Sequence, residues 1–312
     1  MTELVSKLLP IIVLLLIGYL LKRRKTFSDN VVDDLKKILL KIALPAVLFD
    51  AFSTMKLQLS YTFLFFMIFI YCAVLYGIGV FLNWKFATLF PYKNTKGYMT
   101  GFEFGMIGVG LFSALWGMDQ LWVIMLIGLG HELFIWFFYA TLLSKSMDEK
   151  VTIKDTLLQF IKTPTILAIV LGIIFNVAGV RTIMEGEIWG RGIISVIEFL
   201  KPLTSPLILL VIGYTMTFTI KNASKILWFL AVRMILVLGL GGLVLVILHR
   251  FLQPIDPLFD IAFWAFILLP APYILPLYIK ENEEASFFSQ LLVYSTIVSF
   301  VAYTALFIIS KV

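Results

Sequence analysis

The chain has 312 residues, 61% of them hydrophobic and 14% charged, against about 45–50% apolar and about 25% charged in soluble domains. That leaves too little polar surface for a soluble fold of this length, whereas lipid accepts an apolar exterior if the backbone is hydrogen-bonded internally. The composition therefore excludes a soluble globular domain, and the single cysteine, Cys72, excludes a disulfide framework or a cysteine metal site.

In chain order the sequence offers ten apolar runs, at about 8–21, 38–54, 61–83, 97–117, 120–143, 163–180, 193–219, 226–248, 258–279 and 287–309, several of them near the roughly 20 residues that a helical crossing needs. The expected fold class is an all-α integral membrane protein with ten transmembrane helices. The first run is followed directly by Lys22-Arg23-Arg24-Lys25 with no small-residue cleavage site, and reads as a retained span rather than a signal peptide. Between the fifth and sixth runs, Ser144 to Lys162 is polar and charged, and reads as a cytoplasmic linker with an amphipathic surface helix. Lys and Arg gather in one alternate set of loops, seventeen against six in the other set. Because cytoplasmic loops carry this excess, both termini are expected outside a plasma membrane. The net charge of +6 is then a consequence of topology, not of nucleic-acid binding.

The runs also repeat. "PIIVLLLIG" (Pro10 to Gly18) is matched by "PTILAIVLG" (Pro164 to Gly172), and Pro45 in the second run by Pro206 in the seventh. From Pro45 to Gly110 is 65 residues, and from Pro206 to Pro270 is 64. Five spans per half, an odd number, force the second half to enter from the opposite side. The expected organisation is two inverted five-helix repeats, 1–143 and 163–312, joined by the linker 144–162.

"PAPYILP", Pro270 to Pro276, interrupts the ninth run, and each interior proline costs a helix roughly 3 kcal/mol or more. By the repeat its partner is "GMIGVG", Gly105 to Gly110, in the fourth run, where glycines weaken the helix instead. Half-helices are expected to restart near Leu111 and Tyr273, with unpaired N–H groups near the midplane that attract anions. Broken helices at corresponding positions point to a transport site. Candidate substrate contacts are therefore Gly105, Gly108 and Gly110 on one break and Pro270, Ala271, Pro272 and Tyr273 on the other.

Glu103 lies in the fourth run about two turns before the expected break, either as a proton-carrying group of the pathway or as a solvated carboxylate at the cytoplasmic mouth. "GHELF" puts His131 and Glu132 in the fifth run, but Ile135 stands where a zinc-binding H-E-x-x-H motif needs its second histidine. This pair reads as pathway or as a hydrogen-bonded core group. Glu198 and Lys201, three apart, suit a structural ion pair, and Asp50 and Asp260 are placed at the outer interface. Arg233 is open between snorkelling, contacting an anion and pairing with Glu103. Thr296, with Tyr294, Ser295 and Ser299, supplies hydroxyls that line the crossing or bond between helices. No phosphate-binding loop, dinucleotide fingerprint or nucleophile elbow is present.

Taken in order, "PIIVLLLIGYLLKRRKTFSDN", "KIALPAVLF", "TPTILAIVLGIIFN", "SPLILLVIGYTM" and "LLPAPYILPLYIKE" followed by "YSTIVS" resemble the auxin efflux carrier family, within the fold of the bile-acid symporters. The likeness covers essentially the whole chain. It implies scaffold helices 1, 2, 6 and 7, a moving transport domain of helices 3–5 and 8–10, and helices 4 and 9 crossed at their breaks. The family's Asn and Pro in span four fall at Glu103 and Gly110 here, a departure at the usual substrate contact, and the family often has a polar residue where His131 stands. The function implied is secondary transport of small organic anions by an elevator-type mechanism, not enzymatic and without a cofactor or metal. Proton coupling is expected through Glu103 and His131, with sodium left open. Expected partners are the small organic anion, membrane lipids and a second copy through the scaffold helices. The alternative is a membrane ligand or lipid sensor that keeps the fold without transport.

Overall fold

A computed structural model describes residues 2–55, 61–139, 162–215, 223–251, 257–273, 275, 279 and 282–310. Among these the chain is helical throughout, without a strand. The expected linker lies almost wholly outside the described residues. Among the described residues five helices are long and apolar enough to cross a membrane, Phe63–Lys85, Met118–Tyr139, Ile188–Thr215, Ala223–Phe251 and Glu283–Ile309, and the bent pair Pro164–Val177 and Val180–Gly186 passes the same test when taken together. The chain is an α-helical, membrane-embedded protein.

The elements in order are α1 (Thr2–Arg23), α2 (Asp29–Ile38), α3 (Leu44–Thr54), α4 (Tyr61–Lys85), the short α5 (Thr95–Tyr98), α6 (Val109–Trp116), α7 (Leu121–Leu133), α8 (Pro164–Val177), α9 (Val180–Gly186), α10 (Ile188–Leu200), α11 (Thr204–Thr215), α12 (Ala223–Phe251), α13 (Pro257–Ile267) and α14 (Asn282–Ile309). Wide π turns precede α3 (Leu39–Ala43) and α6 (Phe104–Gly108) and follow α7 (Phe134–Tyr139). The first has a local cause. Pro45 lacks the N–H that would bond Lys41 O, and the Leu44 N–H reaches back to Leu39 O instead.

Several expected runs differ from the helices. The sixth, 163–180, ends at Val177, where Gly179 at φ +67 turns the chain by 78° into α9; such a φ favours glycine. In the seventh, 193–219, a 3-10 turn at Lys201–Leu203 separates α10 from α11 because Pro202 offers no donor. The ninth, 258–279, stops being helical after Ile267.

The chain divides into two compact units, Met1–Leu57 with Val109–Met125 and Leu158–Met216, and Gln58–Gly108 with Leu126–Leu157 and Thr217–Val312. Each draws on both halves of the sequence. In the first unit, α1 lies along α11 and α3 along α8. These pairs approach so closely that a Cβ on Gly18 would strike the Leu210 carbonyl, and one on Gly172 would lie 2.8 Å from Phe49 O. Asn176 of α8 donates to Phe52 O and Met55 O at 2.9 and 2.6 Å, satisfying carbonyls at the end of α3. The Asp50 carboxylate, nearly buried, bridges Arg181 at 2.9 Å and Lys201 at 2.5 Å, and Lys201 also meets Glu198 at 3.0 Å. The expected Glu198–Lys201 pair is present, and Asp50 is its third member. In the second unit α12 packs against α4, α13 and α14, and Asp260 of α13 meets His249 of α12 at 2.8 Å.

Candidate functional site

The site is built from the backbone groups that two broken helices leave unpaired, all within the second unit. In α13 the first cause is proline. Pro270 and Pro272 remove the donors that would bond the carbonyls of Phe266 and Leu268. The Leu269 N–H turns back to Phe266 O at 3.3 Å, and the Ser299 hydroxyl of α14 donates to Leu268 O at 2.6 Å. Pro270, Ala271 and Pro272 are buried and not helical, and Tyr273 turns away. The half-helix expected after Tyr273 falls mostly outside the described residues.

On the other segment the chain is non-helical at Gly101 to Glu103, ahead of the expected Gly105 to Gly110. Gly101 adopts φ +69, and a Cβ there would lie 2.7 Å from Pro272 Cγ, so the two breaks meet glycine on proline. Phe102 and Glu103 are non-helical, and the helix resumes with the π turn from Phe104. Gly110 sits inside α6, in the first compact unit, with Ile208 of α11 against it. The sequence register placed the break at Gly105 to Gly110 by counting from Pro45 as far as Pro270 lies from Pro206. Glu103, expected two turns before the break, lies in it.

Every polar backbone group at such a break has to find a partner, and here side chains and the opposite break supply them. Arg233 of α12, buried to 3% exposure, donates from Nη1 to Tyr98 O and from Nη2 to Gly101 O at 2.7 Å. Its guanidinium lies 5.3 Å from the ring centroids of both Tyr98 and Phe102. Of the three expectations for Arg233, snorkelling and pairing with Glu103 are not seen. Among the described residues no carboxylate pairs with it. The Phe102 N–H donates to His131 Nε2 at 2.9 Å. A backbone amide only donates, so this nitrogen is committed as an acceptor and the ring proton belongs on Nδ1. His131 Nδ1 is buried without a hydrogen-bond partner, with Glu132 Oε1 3.5 Å away.

Glu103 ties the two breaks together. Its N–H donates to Pro270 O at 2.8 Å, its carbonyl accepts from the Gly108 N–H at 3.1 Å, and its carboxylate accepts the Tyr273 N–H at 2.7 Å. Glu103 and Tyr273 are both partly buried. Thr296 of α14 donates to Leu292 O at 2.7 Å, which leaves the Tyr273 hydroxyl to donate to Thr296 Oγ1 at 2.6 Å. Gly105 has open space where a Cβ would stand, whereas Gly108 is closed by Leu269, 2.9 Å from such a Cβ.

Glu103, His131, Pro270, Pro272, Tyr273 and Thr296 thus belong to one hydrogen-bonded or packed cluster. Glu132 joins it through His131, and Ala271 is buried between the prolines. Gly101, Phe102 and Arg233 are members that the sequence did not single out for this role. Gly101 lay four residues ahead of the glycine run, and an intramembrane arginine was the one signal that flagged position 233. No family model matches the chain, and no curated protein sequence matches it.

Proposed function

We propose that this chain is a secondary carrier of small organic anions, simple carboxylates, working across the plasma membrane by an elevator-type alternation and coupled to protons through Glu103. The observation that carries the reading is the junction of two interrupted apolar helices, where Glu103 N–H meets Pro270 O and Tyr273 N–H meets the Glu103 carboxylate. Irregular backbone at membrane depth persists only where protein encloses it or a watered cavity adjoins it, and paired interruptions are the hallmark of a carrier's binding site. Ten spans in two inverted repeats, with the interrupted helices crossed, are part of the same proposal, as is the likeness to the auxin efflux carrier family.

One pair of contacts supports the repeat. Gly18 approaches Leu210, four residues after Pro206, and Gly172 approaches Phe49, four residues after Pro45. Exchanging the two halves turns one contact into the other. The proton-carrying role rests on Glu103 and not on His131, whose Nε2 is already held by the Phe102 N–H.

The test is uptake of labelled succinate into vesicles containing the purified chain, with and without an imposed pH gradient and against protein-free vesicles. Accumulation above the protein-free level, raised by an acid exterior, is the expected result. Binding without accumulation replaces the carrier with the ligand-sensor reading.

A further inference from the structure

The Tyr273 N–H is an amide that the proline break leaves outside any helix, and a substrate carboxylate would need such a donor. In this structure it is already taken, at 2.7 Å, by a carboxylate of the protein itself. We propose that the Glu103 carboxylate is a built-in stand-in for the substrate, holding the Tyr273 N–H when ionised and surrendering it, on protonation, to an incoming carboxylate. This rests on the carrier reading above and gives it a coupling chemistry.

Three observations carry it. The Glu103 backbone is fixed at both ends, to Pro270 O and from Gly108 N, so its side chain can leave Tyr273 without dismantling the break. Glu103 and Tyr273 are not fully buried, and Gly105, two residues from Glu103, has open space where a Cβ would stand. Among the described residues no cation is paired with Glu103, so backbone amides, those of Tyr273 and Met106, hold its carboxylate rather than a salt bridge. The titratable and charged groups around it are His131 and Glu132 of α7, Tyr273 at the second break and Arg233 of α12. Arg233 is engaged by the Tyr98 and Gly101 carbonyls and His131 Nε2 by Phe102. Glu132 is the other carboxylate that acts on Glu103 through space.

The charge balances. The empty site holds one ionised carboxylate, Glu103; the loaded site holds a neutral Glu103 and the ionised carboxylate of the substrate. One proton enters with each anion, and the site carries the same charge in both states, so a monocarboxylate crosses without net charge transfer. A protonated Glu103 also gains an O–H donor, a second hydrogen bond for the incoming anion.

The experiment is calorimetric titration of the purified full-length chain with propionate and with succinate, at pH 5.5 and 7.5, in two buffers of different ionisation enthalpy. The wild type should bind more weakly at the higher pH, by up to about tenfold per pH unit once Glu103 is ionised, and should take up about one proton per anion only where Glu103 is ionised in the empty site. Glu103→Gln, fixed in the neutral form, should bind propionate, whose single carboxyl is mostly ionised at both pH values, with nearly the same affinity at each and take up no proton. Binding with unaltered pH dependence and proton uptake in Glu103→Gln overturns this proposal and leaves the carrier intact. Absence of binding of either acid by the wild type at both pH values overturns both. If the variant does not fold, the wild-type proton count decides alone, and binding without proton uptake overturns the coupling.

Discussion

Arg233 is the residue whose role depends most on physics beyond its own stretch of sequence. Among the described residues Arg233 has no counterion, which is expensive for a buried guanidinium, yet it supplies N–H donors to two carbonyls, Tyr98 and Gly101, that a regular helix would have bonded internally. The faces of Tyr98 and Phe102 add cation–π attraction, about 0.5–2 kcal/mol each. Each carbonyl left without a donor costs about 1–3 kcal/mol. Arg233→Lys keeps the charge but loses the planar fork, and should lower stability by about 1–3 kcal/mol, read by thermal unfolding in detergent. Arg233→Met leaves both carbonyls bare and should cost at least as much, although it relieves the buried charge. Two neutral variants would remove the clamp from the account. At this scale the sequence was legible in part. Glu103, His131 and Tyr273 stand out because ionisable or proline-flanked residues in apolar runs are conspicuous, and all three fall in the cluster. That Arg233 and His131 serve backbone groups of Tyr98 to Phe102 depends on pairings across more than a hundred residues in one case and about thirty in the other, which no local pattern encodes.

Among the elements, the proline break was legible and the glycine break was misplaced. Proline acts locally, by deleting a donor and fixing φ, so Pro270 and Pro272 end α13 wherever the rest of the chain lies. Glycine only permits a break. Of the glycines in the fourth run, Gly101 adopts a positive φ with Pro272 packed where a Cβ would stand, while Gly110 is an ordinary helical residue packed on Ile208. The close helix pairs of the first unit turn on glycine in a different sense, as gaps. Small residues let membrane helices approach, since lipid offers no hydrophobic drive to bring them together. A methyl on Gly18 would meet the Leu210 carbonyl and one on Gly172 the Phe49 carbonyl, and backbone cannot swing aside as a side chain can. Gly18→Ala and Gly172→Ala should each destabilise by about 1–3 kcal/mol, and by similar amounts if the two halves are equivalent. Gly192→Ala, open on all sides within 4 Å, is the control and should stay within about 0.5 kcal/mol. Unequal losses at Gly18 and Gly172 would speak against the symmetry while leaving the packing argument in place.

For the whole molecule, composition made the membrane class plain, because 61% hydrophobic residues cannot be housed inside a soluble fold. The number of crossings and their direction are harder to read. A span bent by proline or by Gly179 is divided into helices too short to cross singly, as α8 and α9 are. The count has a parity that topology can report. In the ten-span reading five spans, the second to the sixth, separate Lys25 from Glu187, so the two residues must lie on opposite sides of the membrane, with Lys25 in the cytoplasm by the excess of basic residues in its set of loops. Both are exposed, and the sole native thiol, Cys72, is buried and silent to a reagent. A membrane-impermeant maleimide applied to intact cells should therefore label Glu187→Cys and leave Lys25→Cys untouched until the membrane is permeabilised. Labelling of Lys25→Cys alone would keep the odd count and reverse the orientation. Labelling of both from the same side requires an even number of crossings between them, which an inverted five-helix repeat does not allow.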